Sequence, residues 1–429
     1  MKKVLFDGIA CQYETKDQFH GGAEYSRNLL REALDKGYVF DIVLFNNYYT
    51  DDELSKLLKK MPPERVHNVD NKAQLYNLID SEGFERFFSV LPYPYYDYPC
   101  KAQLVGVIHG LRKVELPWDE NAWRTERRPW VRFVGKHFPK HMARKIQTQK
   151  LKEFQRLISL PNVKLITVSD HTKYALLNYF PSLKPRDIRV YYSPFSVNGL
   201  KPAPMISDYF LMLNANRYEK NIYRAIKTFD RLFSDGRLKG RRVVVTGCQR
   251  INLRRAVKNK DRFMFMNNVP IEELRKYYSE AFCLVYPSLN EGFGYPPLKA
   301  MACEVPVIAS TAASIPEVCA SAALYFSPTN SDDLANRILQ IDLNEDLRAR
   351  LVYEGKKRLD QLLKRQAKEI DQELQFIFGP ADNPEPADEP SETPDASDPS
   401  TAPDSSSART DSTASTPPTQ EASKPKHTK

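Results

Sequence analysis

The sequence predicts an α/β protein built from two parallel-sheet domains and a disordered tail. Short apolar runs of strand length alternate with helical patterns up to about residue 344, which is typical of parallel sheets joined by crossover helices. The proline-containing segment Lys201–Met205 separates two series of such runs. After Gly379 the composition changes abruptly. At 429 residues the chain is long enough for two domains and a tail.

These observations divide the chain into a first domain (1–202), a second domain (203–344), a closing helix (345–379) and a tail (380–429). The strands predicted in the first domain are Val4–Phe6, Asp41–Phe45, Arg86–Val90, Leu104–Ile108, Lys164–Val168 and Arg189–Tyr192. Those predicted in the second domain are Phe210–Leu213, Arg242–Val245, Arg262–Met266, Cys283–Tyr286, Val307–Ala309 and Ala323–Phe326. The closing helix runs from Glu345 to about Phe378.

The tail consists largely of Pro, Ser, Thr, Ala and Asp, with almost no aliphatic side chains. Such a segment cannot bury enough apolar surface to offset the entropy lost on ordering, so we predict that it is disordered. It holds ten acidic and four basic residues, and residues 1–379 therefore carry a net charge of +15 against +9 for the whole chain.

The most informative motif spans Pro287 to Val305 and lies between two apolar runs of strand length, so it predicts strand, loop, helix and strand. Glu291 falls in the loop, where Gly292 and Gly294 allow the backbone to press against a ligand. Two prolines follow at the start of the helix, a position that tolerates them. A carboxylate and a helix N-terminus at one crevice suit a polar ligand with an anionic group.

The run from Glu291 to Cys303, followed by Pro306–Ser310 and Ser314–Val318, resembles the donor-binding signature of a known family. This family comprises the retaining, nucleotide-sugar-dependent glycosyltransferases of the GT-B fold, of the family 4 or group 1 type. The resemblance implies two Rossmann-like domains that face each other across a cleft. The first would bind the acceptor and the second the nucleotide sugar, and the C-terminal helix would cross back over the first domain.

Three further matches lie outside this run. Arg217 and Lys220 follow a predicted strand and resemble the family's Arg/Lys-Asn pair, which stabilises the leaving nucleotide; two cations at this spacing can converge on a diphosphate. The Gly21-Gly22 loop is similar to the family's first loop, beneath the donor phosphates. His109 matches a His close to the transferred sugar. Without the resemblance, a solvated helix start is an alternative for the cations, and a lone His after a strand is more often structural than functional.

By residue, the resemblance implies that Glu291 orients the donor sugar, while Arg217 and Lys220 offset charge on the departing diphosphate. With His109 they form the predicted catalytic set, and the predicted donor-binding set is Gly21, Gly22, Gly292, Phe293, Gly294 and Lys299. The implied activity is that of a hexosyltransferase, which moves a sugar from a nucleoside diphosphate to a hydroxyl of a glycan or lipid-linked acceptor with retained configuration. The leaving phosphate takes the acceptor proton, so we expect neither a metal nor a cofactor.

Lys299 departs from the family pattern, which has a second Glu at this position that accepts hydrogen bonds from the ribose; an ammonium group cannot accept any. Three explanations are open. The donor lacks a 2′-hydroxyl, as a deoxythymidine diphosphate sugar does, the ribose is held by other residues, or the enzyme is impaired. Uridine and guanosine donors are also compatible with the sequence. Glu304 stands where relatives usually have glycine, and the first strand of the second domain ends in Asn214-Ala215-Asn216 instead of the usual glycine.

The segment 123–156 is strongly basic, with eleven Lys or Arg and two Glu interleaved with aromatic and aliphatic residues. This mixture favours contact with an anionic membrane surface. The alternatives are a solvated helix pair that covers the first domain, or nucleic acid, for which no recognised binding module is present. No apolar stretch approaches the roughly 20 residues of a membrane span. We therefore predict a cytoplasmic protein, peripheral on the inner face of the cell membrane, that does not bind nucleic acid.

Two rival functions are open. One is a catalytically degenerate sugar-nucleotide-binding or scaffold subunit of a polysaccharide assembly complex, which would bind nucleotides without turnover. The other is a phosphorylase or epimerase, since the same fold hosts both and fold alone does not fix function. The joint presence of Glu291, Arg217, Lys220 and His109 favours a working transferase in cell-surface polysaccharide synthesis.

Overall fold

Two parallel sheets organise the part of the chain that the structure, a computed structural model, describes: residues 2–13, 21–249 and 253–379. The first sheet contains β1 (Val4–Asp7), β2 (Asp41–Phe45), β3 (Val66–Val69), β4 (Arg86–Ser89), β5 (Gln103–Ile108), β6 (Val163–Thr167) and β7 (Ile188–Val190). The second contains β8 (Tyr209–Met212), β9 (Arg242–Val245), β10 (Phe263–Phe265), β11 (Cys283–Tyr286), β12 (Val307–Ser310) and β13 (Ala323–Phe326).

Helices connect successive strands. Those of the first half are α1 (Gly21–Asp35), α2 (Asp52–Leu58), α3 (Lys72–Ser81), α4 (Arg112–Glu115), α5 (Pro129–His137), α6 (Pro139–Ile158) and α7 (Asp170–Tyr179). Those of the second half are α8 (Ile222–Ser234), α9 (Ile271–Glu280), α10 (Tyr295–Ala302), α11 (Ile315–Cys319), α12 (Ser331–Leu343) and α13 (Glu345–Phe378). None of the helices in the described ranges is long and apolar enough to cross a bilayer.

The strand order is β3-β2-β1-β4-β5-β6-β7 in the first sheet and β10-β9-β8-β11-β12-β13 in the second. All named pairings are parallel; β8, for example, pairs with β9 on one side and β11 on the other. The order reverses at β1/β4 and at β8/β11, and these reversals are the switch points where open α/β sheets bind ligands. The predicted α/β class with two parallel sheets is thus confirmed.

The structure agrees with each predicted strand to within two residues and adds β3. The sequence did not indicate β3 because His67 and Asn68 occupy its centre, and of its four residues only Val69 is buried. An edge strand of this kind lacks the apolar run by which the other strands were predicted. The predicted domain limits fall between β7 and β8 and between α12 and α13. The predicted disordered tail, 380–429, lies outside the described residues.

Helix α13 crosses from the second half of the chain to the first, as predicted. In its first half, Arg358 donates to the backbone oxygens of Glu317 and Val318 in the second half of the chain. Near its end, the carbonyl oxygens of Phe376 and Ile377 accept from Arg86 Nη1 at 2.8 and 2.7 Å. Strand β4 of the first sheet therefore holds the C-terminal end of this helix.

Candidate active site

The predicted site residues of the second half lie at its switch point. Arg217 and Lys220 follow β8, and Glu291 follows β11, the strand hydrogen-bonded to β8. The two loops are joined, since Leu289 N–H donates to Glu219 O at 2.7 Å. Parallel pairing therefore brings Lys220 and Glu291, which are 71 positions apart in the sequence, to one edge of the sheet.

Glu291 forms a buried ion pair with Lys220. The Lys220 Nζ atom lies 2.5 Å from Glu291 Oε1, and both side chains are less than a tenth exposed. Burial opposes ionisation of Glu291, yet the positive charges of Lys220 and Arg112 lower its pKa to about 2. Burial also lowers the pKa of Lys220. The site therefore holds an ionised carboxylate that can accept hydrogen bonds from ligand hydroxyl groups.

Glu219, which lies between Arg217 and Lys220 in the sequence, is a second carboxylate bound by cations. Its Oε1 atom accepts from Arg217 Nε and Nη2 at 2.9 and 2.7 Å and from Arg112 Nη1 at 3.1 Å. Burial would raise the pKa of Glu219, but the two guanidinium groups lower it to about 2. With Lys220 and Glu291, the cluster has three cations and two carboxylates, so it retains one positive charge for an anionic ligand.

Gly292 lies against the first half of the molecule. A Cβ atom at this position would stand 1.7 Å from His109 O, and one at Gly110 would meet Gly292 Cα at 3.3 Å. The Ser169 hydroxyl donates to Gly292 O at 2.7 Å. The loop after β11 therefore touches the loop after β5 backbone to backbone, an approach that requires glycine.

His109 is held by three groups of the first half. Its Nε2 atom lies 3.0 Å from Val90 O, its backbone N–H donates to Tyr93 Oη at 3.0 Å, and its ring meets Tyr25 edge-on at 5.1 Å. Because a carbonyl oxygen can only accept, Nε2 carries a proton in this arrangement. The cleft thus brings His109, which follows β5, beside the Gly292 backbone.

The glycines at the start of α1 face the cleft from the first half. A Cβ atom added to Gly21 would lie 3.5 Å from the Tyr295 ring, and one added to Gly22 would lie 2.9 Å from Leu91. Gly294, with φ of 121°, immediately precedes α10. The N-termini of α1 and α10 therefore approach each other at one point, and both favour negative charge.

Two predicted donor-binding side chains are engaged within the protein. The Phe293 ring is buried against Tyr192 and Tyr295, with centroid distances of 5.3 and 5.7 Å. Lys299 Nζ lies 3.0 Å from Glu24 Oε1, and these side chains are 17% and 14% exposed. The Phe293 ring is thus engaged in packing, and Lys299 neutralises a carboxylate of α1.

Three residues of the site were missed in the sequence: Arg112, Glu219 and Glu24. Each follows a predicted site residue by two or three positions, namely His109, Arg217 and Gly21. A charged residue so close to a strand-end motif is the signal that could have indicated them. In the described ranges, no three His, Cys, Asp or Glu side chains come together as a metal site.

Comparison with solved structures identifies the fold class. Sucrose-phosphate synthase from Thermosynechococcus elongatus aligns over 88% of this chain and 99% of its own, with a TM-score of 0.64 and 17% identity. Anabaena HepE in complex with UDP aligns over 88% and 100%, with a TM-score of 0.61 and 14% identity. The molecule therefore has the GT-B fold of two facing Rossmann-like domains.

Sequence comparison then identifies the family. Residues 202–358 match the family described as Glycosyl transferases group 1. The O-antigen chain mannosyltransferase RfbU of Salmonella typhimurium is 31% identical over 182 residues, which are 42% of this chain and 50% of the relative. The chain thus spans about half the length of this curated relative. The match of residues 202–358 to the group 1 glycosyltransferases confirms the predicted resemblance.

Proposed function

We propose that the protein transfers a sugar from a nucleoside diphosphate donor to a hydroxyl of a glycan or lipid-linked acceptor in O-antigen-type polysaccharide synthesis. The observation that carries this proposal is the buried Glu291–Lys220 pair, with Arg217 beside it, at the switch point of a group 1 domain. The name of RfbU supports mannose as the transferred sugar. Transfer proceeds with retention of configuration and without a metal.

The chemistry follows from the charges of the site. As the glycosidic bond loosens, negative charge develops on the diphosphate, and Arg217 and Lys220 offset it together with the N-termini of α1 and α10. Lys220 has three N–H donors, so it can contact a phosphate oxygen while it stays bonded to Glu291. Glu291 accepts hydrogen bonds from sugar hydroxyls and orients the ring. The leaving phosphate takes the acceptor proton, so the protein supplies no base.

The Lys299–Glu24 pair helps to decide how the ribose of the donor nucleotide is bound. Of the three explanations for Lys299, we favour a ribose held by other residues, because Lys299 is already bonded to a carboxylate from the opposite side of the cleft. A preference for dTDP would support the deoxyribose explanation instead.

We also propose that α5 and α6 lie against an anionic membrane surface. Trp130, Phe133 and Phe138 are 61%, 61% and 58% exposed, and basic side chains such as Arg132 and Lys136 are exposed beside them. Aromatic rings at the headgroup level and cations against anionic lipids are a favourable combination. A membrane surface at this face would bring the first domain to lipid-linked acceptors.

The test combines binding and turnover on the full chain. Thermal denaturation compares five nucleotides: UDP, GDP, ADP, CMP and dTDP. A ligand that binds only the folded state raises the melting temperature, and at a ligand concentration a hundred times Kd it adds about 2.7 kcal/mol to the free energy of unfolding. Donor turnover is measured with Glu291→Gln and Lys220→Ala, each expected to lose roughly a hundredfold in kcat. Full turnover in both variants would contradict the proposal. Stabilisation by a nucleotide without turnover of any donor would favour a scaffold subunit.

A further inference from the structure

Arg112 is the one cation of the described carboxylate cluster that comes from the first half of the molecule. It begins α4, a four-residue helix that follows β5, His109 and Gly110. Its Nη1 atom donates to Glu219 at 3.1 Å, and its Nη2 atom lies 3.9 Å from Glu291 Oε2. Lys220 holds the other oxygen, Oε1, of the same carboxylate. The two oxygens of Glu291 therefore face cations from opposite sides of the cleft.

The rest of α4 is fixed to the second half by two further contacts. Lys113 Nζ lies 3.1 Å from Tyr218 Oη. Glu115 accepts from Asn290 Nδ2 at 3.0 Å, and Asn290 immediately precedes Glu291. These contacts limit how far Arg112 can move relative to the loop that carries Glu291.

We propose that Arg112 is a positioning residue, through which the first domain holds Glu291 in its working orientation when the cleft is closed. The inference rests on the proposed function. A guanidinium group is planar and presents its donors as a rigid fork, so it can fix the separation of Glu219 and Glu291. Without it, the cation beside the Glu291 carboxylate is Lys220, whose ammonium group is a point charge on a flexible stem, and the other neighbours of the carboxylate are the uncharged hydroxyl groups of Tyr286 and Ser288.

A second observation points to a ligand. The Nε–H of Arg112 is buried and has no hydrogen-bond partner among the described residues, and the same is true of Asn290 Oδ1. A buried donor and a buried acceptor that are both unsatisfied cost stability. A ligand rich in hydroxyl groups, such as a sugar, satisfies both kinds of group. We therefore expect a substrate hydroxyl group to bind beside Arg112 and Asn290.

The test compares Arg112→Ala and Arg112→Lys with the wild-type full chain. A displacement of about 1 Å at a reacting centre can cost a hundredfold in rate. We expect Arg112→Ala to lower kcat roughly a hundredfold, a larger effect than the rise in the KM for the donor that follows from the loss of one positive charge. Arg112→Ala should also lower the melting temperature, because Glu219 loses a partner. Arg112→Lys keeps the charge but not the fork, so the KM and the melting temperature should recover while kcat stays low. The matched control is Arg65→Ala, which removes an arginine that pairs with Asp41 before the edge strand β3.

Hydrogen–deuterium exchange gives a readout that does not need turnover. If Arg112 positions Glu291, the amides of residues 287–294 exchange faster in Arg112→Ala than in the wild type and in Arg65→Ala. A kcat within threefold of wild type, or unchanged exchange of this loop, overturns the inference. Absence of both nucleotide binding and turnover in the wild type counts against the proposed function instead, and the exchange measurement still decides on Arg112.

Discussion

Tyr25 and Glu373 form a hydrogen bond that joins α1 to the crossing helix α13 in the interior of the molecule. The Tyr25 hydroxyl donates to Glu373 Oε1, and the two residues are 0% and 1% exposed. Burial and, to a smaller extent, the neighbouring Glu369 raise the pKa of Glu373 to about 8, against the lowering effect of this bond. Glu373 is thus a neutral carboxylic acid at pH 7. The same Tyr25 ring packs against His109.

This pKa predicts a pH dependence of stability. Between the ordinary pKa of 4.5 and about 8, the unfolded chain releases the proton that folded Glu373 keeps. The stabilising effect of the protonated group is therefore complete below pH 4.5 and is lost as the pH rises through 8, at up to about 1.4 kcal/mol per pH unit. Urea denaturation at pH 5.5, 7 and 8.5 should show a smaller decline in Glu373→Gln than in the wild type. Parallel profiles would show that Glu373 ionises normally.

The Lys299–Glu24 pair predicts a charge-reversal result. Lys299→Glu places two carboxylates together in a poorly exposed place, and Glu24→Lys places two ammonium groups there. Each single change should reduce the free energy of unfolding by about 1–3 kcal/mol, less than for a fully buried pair because both groups retain some solvent. The double exchange should recover much of the loss. A double-mutant cycle measures the coupling, and additive effects would mean that the two charges do not interact.

Gly292 predicts a steric effect on the cleft. A methyl group there would overlap His109 O, so the two loops cannot approach as they do in the wild type. We expect Gly292→Ala to lower the melting temperature and to abolish turnover. Gly21→Ala is the matched control for stability, since its Cβ would make an ordinary contact at 3.5 Å. If Gly292→Ala matched Gly21→Ala in melting temperature, the close contact would not be needed for the fold.

The exposed aromatic residues predict binding to anionic vesicles. The wild type should sediment with phosphatidylglycerol vesicles at low salt, bind less in high salt because charge interactions are screened, and bind phosphatidylcholine weakly. The double variant Trp130→Ser/Phe133→Ser should lose most of this binding. Tyr353→Ser is the control, because Tyr353 is an aromatic residue 66% exposed on α13. If Tyr353→Ser and the double variant bound the vesicles equally well, α5 would be excluded as the membrane contact.

Much of the fold could be predicted because buried parallel strands are continuous apolar runs, and such runs marked every strand except β3. For the site, the sequence could predict only which residues of the same half come together. Arg217, Lys220 and Glu291 follow neighbouring strands of one sheet, and the parallel topology brings them together. From the other half, Arg112 reaches Glu219 and Glu291, and Glu24 reaches Lys299; these contacts depend on how the domains face each other. Sequence periodicity carries no information on that arrangement.

Two departures from the family pattern acquire a physical explanation in the structure. Asn214, in the run Asn214-Ala215-Asn216 that replaces the usual glycine, and Glu304, at the other such position, adopt positive φ angles of 60° and 57°. Asn tolerates this region comparatively well, whereas Glu is strained there. Glu304 in turn bonds Lys356 of α13 at 3.0 Å rather than Lys299. The backbone shape expected for glycine is therefore kept although the glycine is absent.

The bonds from Arg86 to the end of α13 affect the order in which the protein can be assembled during synthesis. A ribosome releases the strands of the first sheet early, but the helix that packs Phe378 on Phe40 and satisfies Arg86 emerges only after the entire second half. Until then Phe40 lacks this cover and the Arg86 guanidinium lacks these acceptors. The N-terminal half is thus a discontinuous folding unit, and its completion waits for residues made more than 290 positions later.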